Sequence, residues 1–399
     1  MTAQEQTGRG IGPEYLLAGR YRLRSKIGDG GMGAVWLARD TLLSRDVAVK
    51  QVTTTEGLDT ETAEEVRERT LREGRNAAKL THPHSIAMYD VAIESGEPWL
   101  VMEYFPARSL AQAMNLADTL PPLEVAQIGA QIAAALTEAH AAGIVHRDIK
   151  PGNILIADRG KSLGTVKISD FGIARAKSDV SDSQDEVITG TPAYFAPEVA
   201  RGDDPTEASD VFSLGSTLYT VIEGQPPFGI DSDAIALLHR VAKAEIYRPT
   251  KSGPLTDVLL QLLEPDPTRR PTMAQARDAL AAAATGGGTI EQLIDAPVYS
   301  SEGAVPAWAH RTTQLADPHR RNRLTGSTIT GLPAVQQNTP LRNVPSPMDM
   351  FSWPPRIPTG PADASTRDKV VAWAPLAMTG MVAVIILAAL IVVILVFTV

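Results

Sequence analysis

Apolar residues occur in short runs, separated by turn residues, over the first hundred positions. The first run begins at Tyr21, a second covers residues 34–38, a third covers residues 47–49, and another covers residues 99–104 and leads into a loop. Runs of this length, rich in Val, Trp and Tyr and bounded by Gly and Asp, are typical of β-strands. The pattern therefore predicts a small β-rich unit over about residues 19–103.

The spacing of apolar residues changes after this unit. Apolar side chains then recur every three to four positions, as on one face of a helix: Leu123, Ile128, Ile132, Ala135, Leu136 and Ala139. Gly143 ends this helix, another apolar helix covers residues 211–222, and an amphipathic helix ends near Ala284. An earlier helical stretch covers about residues 60–80. We therefore predict a helix-rich second unit over about residues 106–284.

The composition changes again beyond this unit. Residues 285–368 hold a run of three glycines, eleven prolines and few aliphatic clusters, and residues 285–369 carry eight Lys or Arg against seven Asp or Glu. Such a segment buries little apolar surface, so we predict a flexible, nearly neutral linker over residues 285–369. Residues 1–18 are predicted to form a disordered arm.

A long apolar segment lies near the end of the sequence. Residues 370–399 carry no charged side chain, and the 22 residues of 378–399 are almost wholly Val, Ile, Leu, Ala and Met. A helix of that length spans about 33 Å, enough for a hydrocarbon core of roughly 30 Å. We therefore predict one membrane-spanning helix over residues 374–399. A buried C-terminal helix is the alternative, although a soluble helix would show a polar face.

The charges beside the predicted span indicate its orientation. Arg367 and Lys369 precede it, and positive flanks favour the cytoplasmic face of a membrane. We therefore expect a single-pass protein of the plasma membrane whose main domains are cytoplasmic, with no folded domain on the far side.

The overall composition narrows the possible functions. The 399 residues contain no cysteine, which excludes disulfides and thiolate metal sites and is compatible with a reducing cytosol. A net charge of −9 and a pI of about 5.4 argue against a general nucleic-acid-binding protein. Residues 1–13 are polar and lack the apolar core of a secretory signal.

Candidate chemistry is concentrated in residues 146–153, His-Arg-Asp-Ile-Lys-Pro-Gly-Asn. Asp148 has the chemistry to orient and deprotonate a hydroxyl, and the amide oxygen of Asn153 can hold a divalent cation beside phosphate oxygens. A charged surface turn is the alternative for such a run by itself. A second carboxylate, Asp170, follows a short apolar run and precedes Phe and Gly, which favours the metal-site interpretation.

Glycines lie between the first two strands in the pattern Gly-x-Gly-x-x-Gly-x-Val. Glycines let a backbone turn lie close over phosphates and point its N–H groups at them. A dinucleotide-binding turn would be followed by a helix, whereas a strand follows here, so the Rossmann alternative is disfavoured. The predicted nucleotide-contacting residues of this stretch are Ile27, Gly28, Asp29, Gly30, Gly31, Met32, Gly33, Ala34 and Val35.

Lys50 ends the third strand, where a charge among Val and Ala side chains is costly unless it meets an anion. We expect Glu73, on the helical stretch 60–80, to be its partner, because Glu73 lies just before the point where that helix packs inward. The pair would place the Lys50 ammonium to bind phosphate oxygens. A surface lysine on an edge strand is the alternative. Three other glutamates of this helix are interpreted as solvated charges: Glu61, Glu65 and Glu68.

A polar loop rich in hydroxyls and carboxylates covers residues 175–188. Loops of this length without structure are usually functional or disordered. Asp210 begins the helix 211–222, and a role as its N-terminal cap would explain an acid there.

These motifs, taken in order, resemble the signature set of protein kinases. The matching residues are Gly28, Gly30, Gly33 and Val35, then Val47-Ala48-Val49-Lys50, His146-Arg147-Asp148, Asn153, Asp170-Phe171-Gly172 and Ala196-Pro197-Glu198. The resemblance covers about residues 21–284. Together with the linker and the membrane helix, the layout is similar to the actinobacterial branch of bacterial Hanks-type receptor Ser/Thr kinases. Lys150 matches the Ser/Thr-specific pattern.

The resemblance implies an α+β, bilobal protein kinase fold over residues 19–284 that binds ATP and Mg²⁺, or Mn²⁺, in a cleft. Asn153 and Asp170 would hold the metal ions, and Lys50, paired with Glu73, would hold the nucleotide. It further implies that Asp148 accepts the hydroxyl proton and that Lys150 neutralises charge on the moving γ-phosphate.

The resemblance also implies residues that bind adenine and brace the fold. Val35, Ala48 and Leu155 would line the adenine slot behind the gatekeeper Met102. The backbone from Glu103 to Phe105 would hydrogen-bond the base. Glu198 would pair with Arg270, and Asp210 would brace the catalytic loop.

Two features depart from that family. Its members usually end in an extracellular ligand-binding module, which we expect this chain to lack, so control by an external ligand stays open. The loop after Asp170 is acidic, and we hypothesise that Asp185 and Glu186 partly replace phosphate charge opposite Arg147. Ser183, Thr189 and Thr191 are the remaining candidate phosphorylation sites.

The sequence thus predicts a membrane-anchored, ATP-dependent Ser/Thr protein kinase of bacterial signal transduction that phosphorylates its own activation loop. Its expected partners are protein substrates, the membrane and a second copy of the chain, because relatives pair through their N-lobes and a shared membrane raises the effective concentration. A pseudokinase scaffold remains an alternative. So does a small-molecule phosphotransferase, which residues 196–198 disfavour because they belong to a protein-substrate platform.

Overall fold

The computed structural model describes residues 11–30, 33–52, 60–171, 191–285, 289–298 and 306–309. Several predictions lie outside these ranges: Gly31 and Met32, the phosphorylation sites Ser183 and Thr189, most of the linker, and the membrane helix 374–399. Within the described ranges, no helix combines the length and the apolar character that crossing a bilayer requires.

Six antiparallel strands form the N-terminal lobe, in the spatial order β1-β2-β3-β4-β6-β5. They are β1 (Leu16–Leu17), β2 (Tyr21–Gly30), β3 (Gly33–Asp40), β4 (Arg45–Gln51), β5 (Met88–Glu94) and β6 (Glu97–Glu103). The β-rich unit is therefore confirmed. Its start is a correction, because β1 lies in the predicted disordered arm: Leu17 is fully buried and pairs with Tyr21.

Successive side chains along β4 point to opposite faces of the sheet, so one face packs in the core and the other faces the cleft. Val47 and Val49 are fully buried in the cluster that contains Trp99. Ala48 and Lys50 point to the opposite face, where Ala48 packs in a second apolar cluster. A lysine is thereby placed at the end of a strand that is otherwise buried.

The helix α1 (Thr60–Ala77) packs against β5 and β6. Gly74 permits a close approach, since a Cβ there would lie 2.7 Å from Cγ2 of Val91. The close packing of Gly74 on β5 thereby sets the position of its neighbour Glu73.

The C-terminal lobe is mainly helical, as predicted. Its helices are α2 (Leu110–Ala117), α3 (Pro122–Ala141), α4 (Pro197–Ala200), α5 (Glu207–Glu223), α6 (Ala234–Ala242), α7 (Thr256–Leu262), α8 (Met273–Thr285) and α9 (Ile290–Asp295). A small sheet joins β7 (Arg108–Ser109), β8 (Ile154–Ile156) and β9 (Val166–Ile168). Helices α3 and α5 are buried along most of their length and form the centre of the core. The loops that carry the candidate chemistry begin at α3 and at β9.

Residues 289–298 and 306–309, here called the strap, pack against the C-terminal lobe, although the sequence predicted a flexible linker from residue 285. The N–H of Val298 donates to the carbonyl of Gly164 at 2.9 Å, and a Cβ on Gly164 would lie 2.5 Å from the carbonyl oxygen of Val298. Trp308 is 1% exposed and donates from Nε1 to Glu124 Oε2 at 3.1 Å. Burial raises the pKa of the Glu124 carboxyl, and this hydrogen bond partly offsets the effect.

Side-chain amides explain why such a polar segment can bury its backbone. Gln127 and Gln131 on α3 donate to carbonyls of Leu293, Ile294 and Ala296, with distances down to 2.6 Å. The ordered chain therefore continues past Ala284, the predicted end of the domain, because a few apolar residues find both a core and donors for their carbonyls.

Replacing Trp308 by Ala is expected to free the strap, since truncating a large buried aromatic side chain costs roughly 3–5 kcal/mol. Hydrogen exchange over residues 289–298, followed by mass spectrometry on the full chain, should become at least about 100-fold faster at a tenfold change per 1.4 kcal/mol. Trp308→Phe is the matched control: it keeps an aromatic ring, so it should lose less packing than Trp308→Ala while also removing the Glu124 hydrogen bond, and exchange should rise much less. Unchanged exchange in Trp308→Ala would contradict a docked strap.

Candidate active site

Residues 146–153 form a loop after α3, and hydrogen bonds to the Asp210 side chain hold its first residues in place. Asp210, on the first turn of α5, accepts from the N–H of His146 at 2.7 Å and from the N–H of Arg147 at 2.9 Å. Its side chain is 1% exposed, and His140 Nε2 lies 2.8 Å from Oδ2. The N-cap of α5 is Thr206 instead. The structure therefore favours the bracing role of Asp210 over the capping alternative, and it places His140 as a partner of that brace.

The brace coincides with backbone strain. Arg147 has a φ of 66°, a conformation that costs L-residues free energy and persists only where surrounding contacts enforce it. The two hydrogen bonds that the Asp210 carboxylate accepts are such contacts, and they fix the backbone immediately before Asp148.

Asp148 lies among polar side chains of its own loop. Lys150 Nζ is 3.0 Å from Asp148 Oδ2, and Asn153 Nδ2 donates to Oδ2 at 3.1 Å and to the Asp148 carbonyl at 2.7 Å. Because the amide nitrogen of Asn153 is used in these bonds, its oxygen points elsewhere. Asn153 is itself buried, and its carbonyl accepts the N–H of Ser169 at 2.8 Å. The two candidate metal-binding residues are thus joined through neighbouring backbone.

Asp170 follows β9 and also has a left-handed backbone, with a φ of 61°. Its Oδ1 accepts a hydrogen bond from Lys50 Nζ at 2.7 Å. Burial alone would raise the pKa of Asp170, but the positive charge and hydrogen bond of Lys50, with the charge of Lys150, outweigh it and lower the pKa. Asp170 is therefore held as a carboxylate.

The predicted ion pair between Lys50 and Glu73 is not formed in this structure, where each side chain has another partner. Lys50 is 9% exposed and pairs with Asp170, while Glu73 Oε1 lies 3.5 Å from Arg147 Nη1. A buried ammonium pairs with the carboxylate that reaches it, and here that is Asp170. Glu68, interpreted as a solvated charge, lies 3.8 Å from exposed Arg72.

The glycine-rich stretch joins two strands, as predicted from the residues that follow it. Gly30 pairs with Gly33 and Gly28 pairs with Val35 across the β2–β3 hairpin, and Gly33 has a φ of 123°. Of Asp29 and Gly30, the structure describes the backbone path only. The glycine stretch therefore lies on two paired strands, and a strand follows Gly33 in place of the helix that a Rossmann turn requires.

The residues assigned to adenine lie on strands of both sheets, with Val35 on β3. Ala48 on β4 is paired with Met102 on β6, Val47 is paired with Glu103, and Leu155 lies on β8. A small cavity beside Met102 is lined by Ala77, Ile86, Met88, Leu100, Met102, Asp170 and Phe171. The register of the N-lobe sheet thus places Ala48 and Met102 opposite each other on adjacent strands, whereas Leu155 belongs to the small sheet.

The predicted pair between Glu198 and Arg270 is present and bidentate. Nη1 and Nη2 of Arg270 lie 2.6 Å from Oε1 and 2.7 Å from Oε2 of Glu198. Arg270 also donates to the carbonyls of Glu264, Ala208 and Pro265, and Ser209 donates to Glu198. Burial would raise the pKa of Glu198, but the bonds from Arg270 outweigh it and lower the pKa. This pair anchors residues 196–198 to the lobe.

His146 has a packing role that the motif alone did not reveal. Its ring is fully buried, lies 4.7 Å from the ring of Phe171 and places Nε2 3.0 Å from the carbonyl of Ser169. Burial lowers the pKa of His146, so the neutral imidazole is favoured. His146 therefore joins the catalytic loop to the segment that carries Asp170 and is unsuited to act as a cationic acid.

Comparison with known proteins agrees with this arrangement. The family described as protein kinase domain matches residues 21–280. The chain belongs to this family. A kinase domain with a β-sheet N-lobe and a helical C-lobe accounts for the described fold.

Curated relatives are bacterial kinases. The chain is 35% identical over 267 residues to the serine/threonine-protein kinase PrkC of Bacillus subtilis (strain 168), covering 66% of this chain and 40% of that protein. It is 38% identical over 264 residues to PknB of Mycobacterium leprae (strain TN), covering 64% and 41%. The match to the probable kinase pknA2 of Bifidobacterium longum (strain NCC 2705) is 31% over 351 residues, covering 88% and 44%. The chain thus spans about two fifths of the length of these relatives.

Among solved structures, Rad53 1–466 in complex with AMP-PNP matches with a TM-score of 0.54 and 26% identity. The match covers 65% of this chain and 64% of the Rad53 chain. The similarity supports the same bilobal kinase fold.

Proposed function

We propose that this protein is a Ser/Thr protein kinase that transfers the γ-phosphate of ATP to hydroxyl groups of proteins. The observation that carries the proposal is the convergence of Asp148, Asn153, Asp170 and Lys50 at one cleft, with Lys50 Nζ 2.7 Å from Asp170 and the Asn153 carbonyl 2.8 Å from the N–H of Ser169. Family membership and the names of the bacterial relatives support the reaction.

The donor set fits a divalent cation with bound triphosphate. Asn153 has an amide oxygen directed away from Asp148, and Asp170 is held as a carboxylate at the other side of the same backbone junction. Such hard oxygen ligands suit Mg²⁺ or Mn²⁺. When bound, the ion would neutralise charge on the phosphate oxygens.

The chain's own residues would supply positioning and proton transfer. Asp148 accepts the proton of the substrate hydroxyl. As it does so, the hydroxyl oxygen forms a bond to the γ-phosphorus of ATP, and the bond between that phosphorus and ADP breaks. Lys150, 3.0 Å from Asp148, stabilises negative charge on the transferred group. Its presence two residues after Asp148 supports Ser/Thr rather than Tyr as the acceptor.

Lys50 has two uses in this proposal. In the described structure its ammonium neutralises Asp170. On nucleotide binding, the Lys50 ammonium would bind phosphate oxygens instead of Asp170, and the Asp170 carboxylate would be available to hold the metal ion. The contact of Glu73 with Arg147 would then exchange for the Lys50–Glu73 pair of an active arrangement.

Replacing Lys50 by Met is expected to reduce phosphate transfer about 100-fold or more, as loss of a preorganised charge at a reacting anion does in other enzymes. The measurement is transfer from radiolabelled ATP to the full chain and to a basic protein, with the chain purified in detergent. Lys161→Met, on an exposed turn, is the matched control and should stay near the parent rate. Transfer to small hydroxyl compounds but never to polypeptide would replace this proposal by a small-molecule phosphotransferase.

Self-phosphorylation in the activation loop is part of the proposal, with Ser183, Thr189 and Thr191 as candidate sites and Asp185 and Glu186 as partial substitutes for phosphate. Mass spectrometry of an active preparation tests it: no phosphate between residues 178 and 191 would remove this part. A second copy would supply phosphorylation in trans, and a rate per molecule that is independent of concentration would exclude that route.

Membrane anchoring in the plasma membrane, with the kinase domain on the cytoplasmic side, rests on the uncharged stretch 370–399. Its test is fractionation of cells that express the full chain or a chain ending at residue 369. Equal release of both chains into the soluble fraction would exclude the anchor.

A further inference from the structure

Lys167 lies on β9, three residues before Asp170, and the sequence motifs assign it no role. Its strand neighbours Val166 and Ile168 are fully buried, so the lysine projects from the opposite face of β9. The ammonium is nonetheless largely enclosed, with a side chain 14% exposed. A lysine held in this way needs specific partners to offset its desolvation.

Those partners belong to the connector between the lobes. Lys167 Nζ donates to Glu103 Oε2 at 3.0 Å and to the carbonyl of Ser85 at 3.1 Å, and it lies 5.7 Å from the ring centroid of Phe105. Lys167 therefore contacts both ends of the connector segment that begins at Glu103.

Glu103 is in turn fixed to the loop before β5. Its Oε2 accepts from the N–H of Ala87 at 3.2 Å, and its own N–H donates to the carbonyl of Ala87 at 2.8 Å. The same loop is bonded to β9, because the N–H of Ile168 donates to the carbonyl of His84 and the N–H of Ile86 donates to the carbonyl of Ile168. One ammonium thus closes a small network that contains the connector, this loop and β9.

The network spans the two ends of the proposed nucleotide site. The backbone from Glu103 to Phe105 is assigned to adenine, and Asp170, at the end of β9, is assigned to the metal-bound phosphates. We propose that Lys167 is a positioning residue that fixes the adenine-binding connector relative to Asp170, so that its loss weakens binding of the purine end of the nucleotide. This inference rests on the proposed function, because it takes from it the assignment of the connector to adenine.

A purely structural role for the Lys167–Glu103 pair predicts a different effect on nucleotide binding. If the pair only stabilised the local fold, its loss would leave nucleotide binding nearly unchanged or would weaken every ligand equally. A positioning role instead predicts that ligands with and without a purine respond differently.

The experiment measures binding by calorimetry on the full chain in detergent, with ADP and Mg-tripolyphosphate as probes. Lys167→Met should weaken ADP binding on the order of 5- to 10-fold, since hydrogen bonds to charged groups contribute this much or more. Binding of Mg-tripolyphosphate should stay within about twofold. Lys161→Met, on an exposed turn, is the matched control for the loss of one positive charge and should bind both probes like the parent.

Two further variants test the route of the effect. Lys167→Arg keeps the charge and the donors and should restore most of the ADP affinity. Glu103→Gln should weaken ADP binding, and adding Lys167→Met to it should cost much less than Lys167→Met alone, because the two side chains act through one contact.

The outcomes separate this inference from the proposed function. If the parent chain bound neither probe, the proposed function would fail. If the parent bound both while Lys167→Met changed neither affinity, or lowered both equally, the positioning role would be overturned. Fully additive effects of Lys167→Met and Glu103→Gln would overturn the route through Glu103.

Discussion

Replacing Asp148 by Asn is expected to lower the rate of phosphate transfer about 1,000-fold, in the range that positioned general bases contribute. The amide is close in shape to the carboxylate, and its oxygen can still accept from Asn153 Nδ2, which lies 3.1 Å from Asp148 Oδ2 in the parent chain. The loop should therefore keep its form while losing the group that takes the hydroxyl proton. Binding of Mg-ATP should remain within about threefold, because no hydrogen bond to the loop backbone is removed.

Radiolabel transfer to a basic protein and calorimetric binding of Mg-ATP, both on the full chain in detergent, check this result. Asp203→Asn is the matched control, since Asp203 is exposed and lies on the turn after α4. Activity of Asp148→Asn within tenfold of the parent would show that another group removes the proton. A parent chain that binds Mg-ATP but transfers nothing would instead support the pseudokinase scaffold.

The largest effect on stability is expected for Arg270→Met. The Arg270 guanidinium is fully buried beside Glu198. Its removal would therefore leave Glu198 as a buried carboxylate without a cation. Removing one partner of a buried pair typically costs about 3–5 kcal/mol. Adding Glu198→Gln should recover part of this loss, because the unpaired charge disappears and Ser209 can still donate to the amide oxygen.

The measurement is urea unfolding of the full chain, with the midpoint and the slope compared between variants. Arg269→Met is the matched control: the adjacent guanidinium is 71% exposed and lies 3.7 Å from Glu264. Its loss should cost less than about 1 kcal/mol. Equal midpoints for Arg270→Met and Arg269→Met would show that the buried pair contributes nothing.

The same pair predicts a pH dependence with a defined sign. The pKa of Glu198 is lowered from its ordinary value of 4.5, so the folded state binds this proton less readily than the unfolded state. The stabilisation is therefore complete above pH 4.5 and is lost as the pH falls below that value towards the folded-state pKa. The difference in unfolding free energy between the parent and Glu198→Gln should shrink over that acidic range. A difference that grew with acidity would contradict the lowered pKa.

Local patterns were enough to predict several parts of the site. The strands around Lys50 follow from short runs of β-branched residues, and the hairpin character of the glycine stretch follows from the strand behind it. The motif around Asp148 places a base, a lysine and an amide within six residues, so chain connectivity alone keeps them together. The buried pair of Glu198 and Arg270 came from the family resemblance, and its geometry confirms it.

Contacts between distant segments could not be read in this way. Lys50 is 120 residues from Asp170, and whether it meets Asp170 or Glu73 depends on where α1 lies on the sheet. The role of Asp210 required α5 to lie beneath the catalytic loop, because a helix-start acid has the same sequence pattern whether it caps the helix or braces a neighbour. Lys167 stayed unnoticed because its partners are 64 and 82 residues away.

The sequence by itself determined the β-rich unit followed by the helix-rich unit, the short catalytic loop and the family, because each depends on residues close together along the chain. Only the tertiary structure decided which carboxylate neutralises Lys50, that the strap continues the domain past residue 285, and that Lys167 joins the connector to β9. Electrostatic pairing and burial act through space, and their outcome depends on how the two lobes and the strap pack.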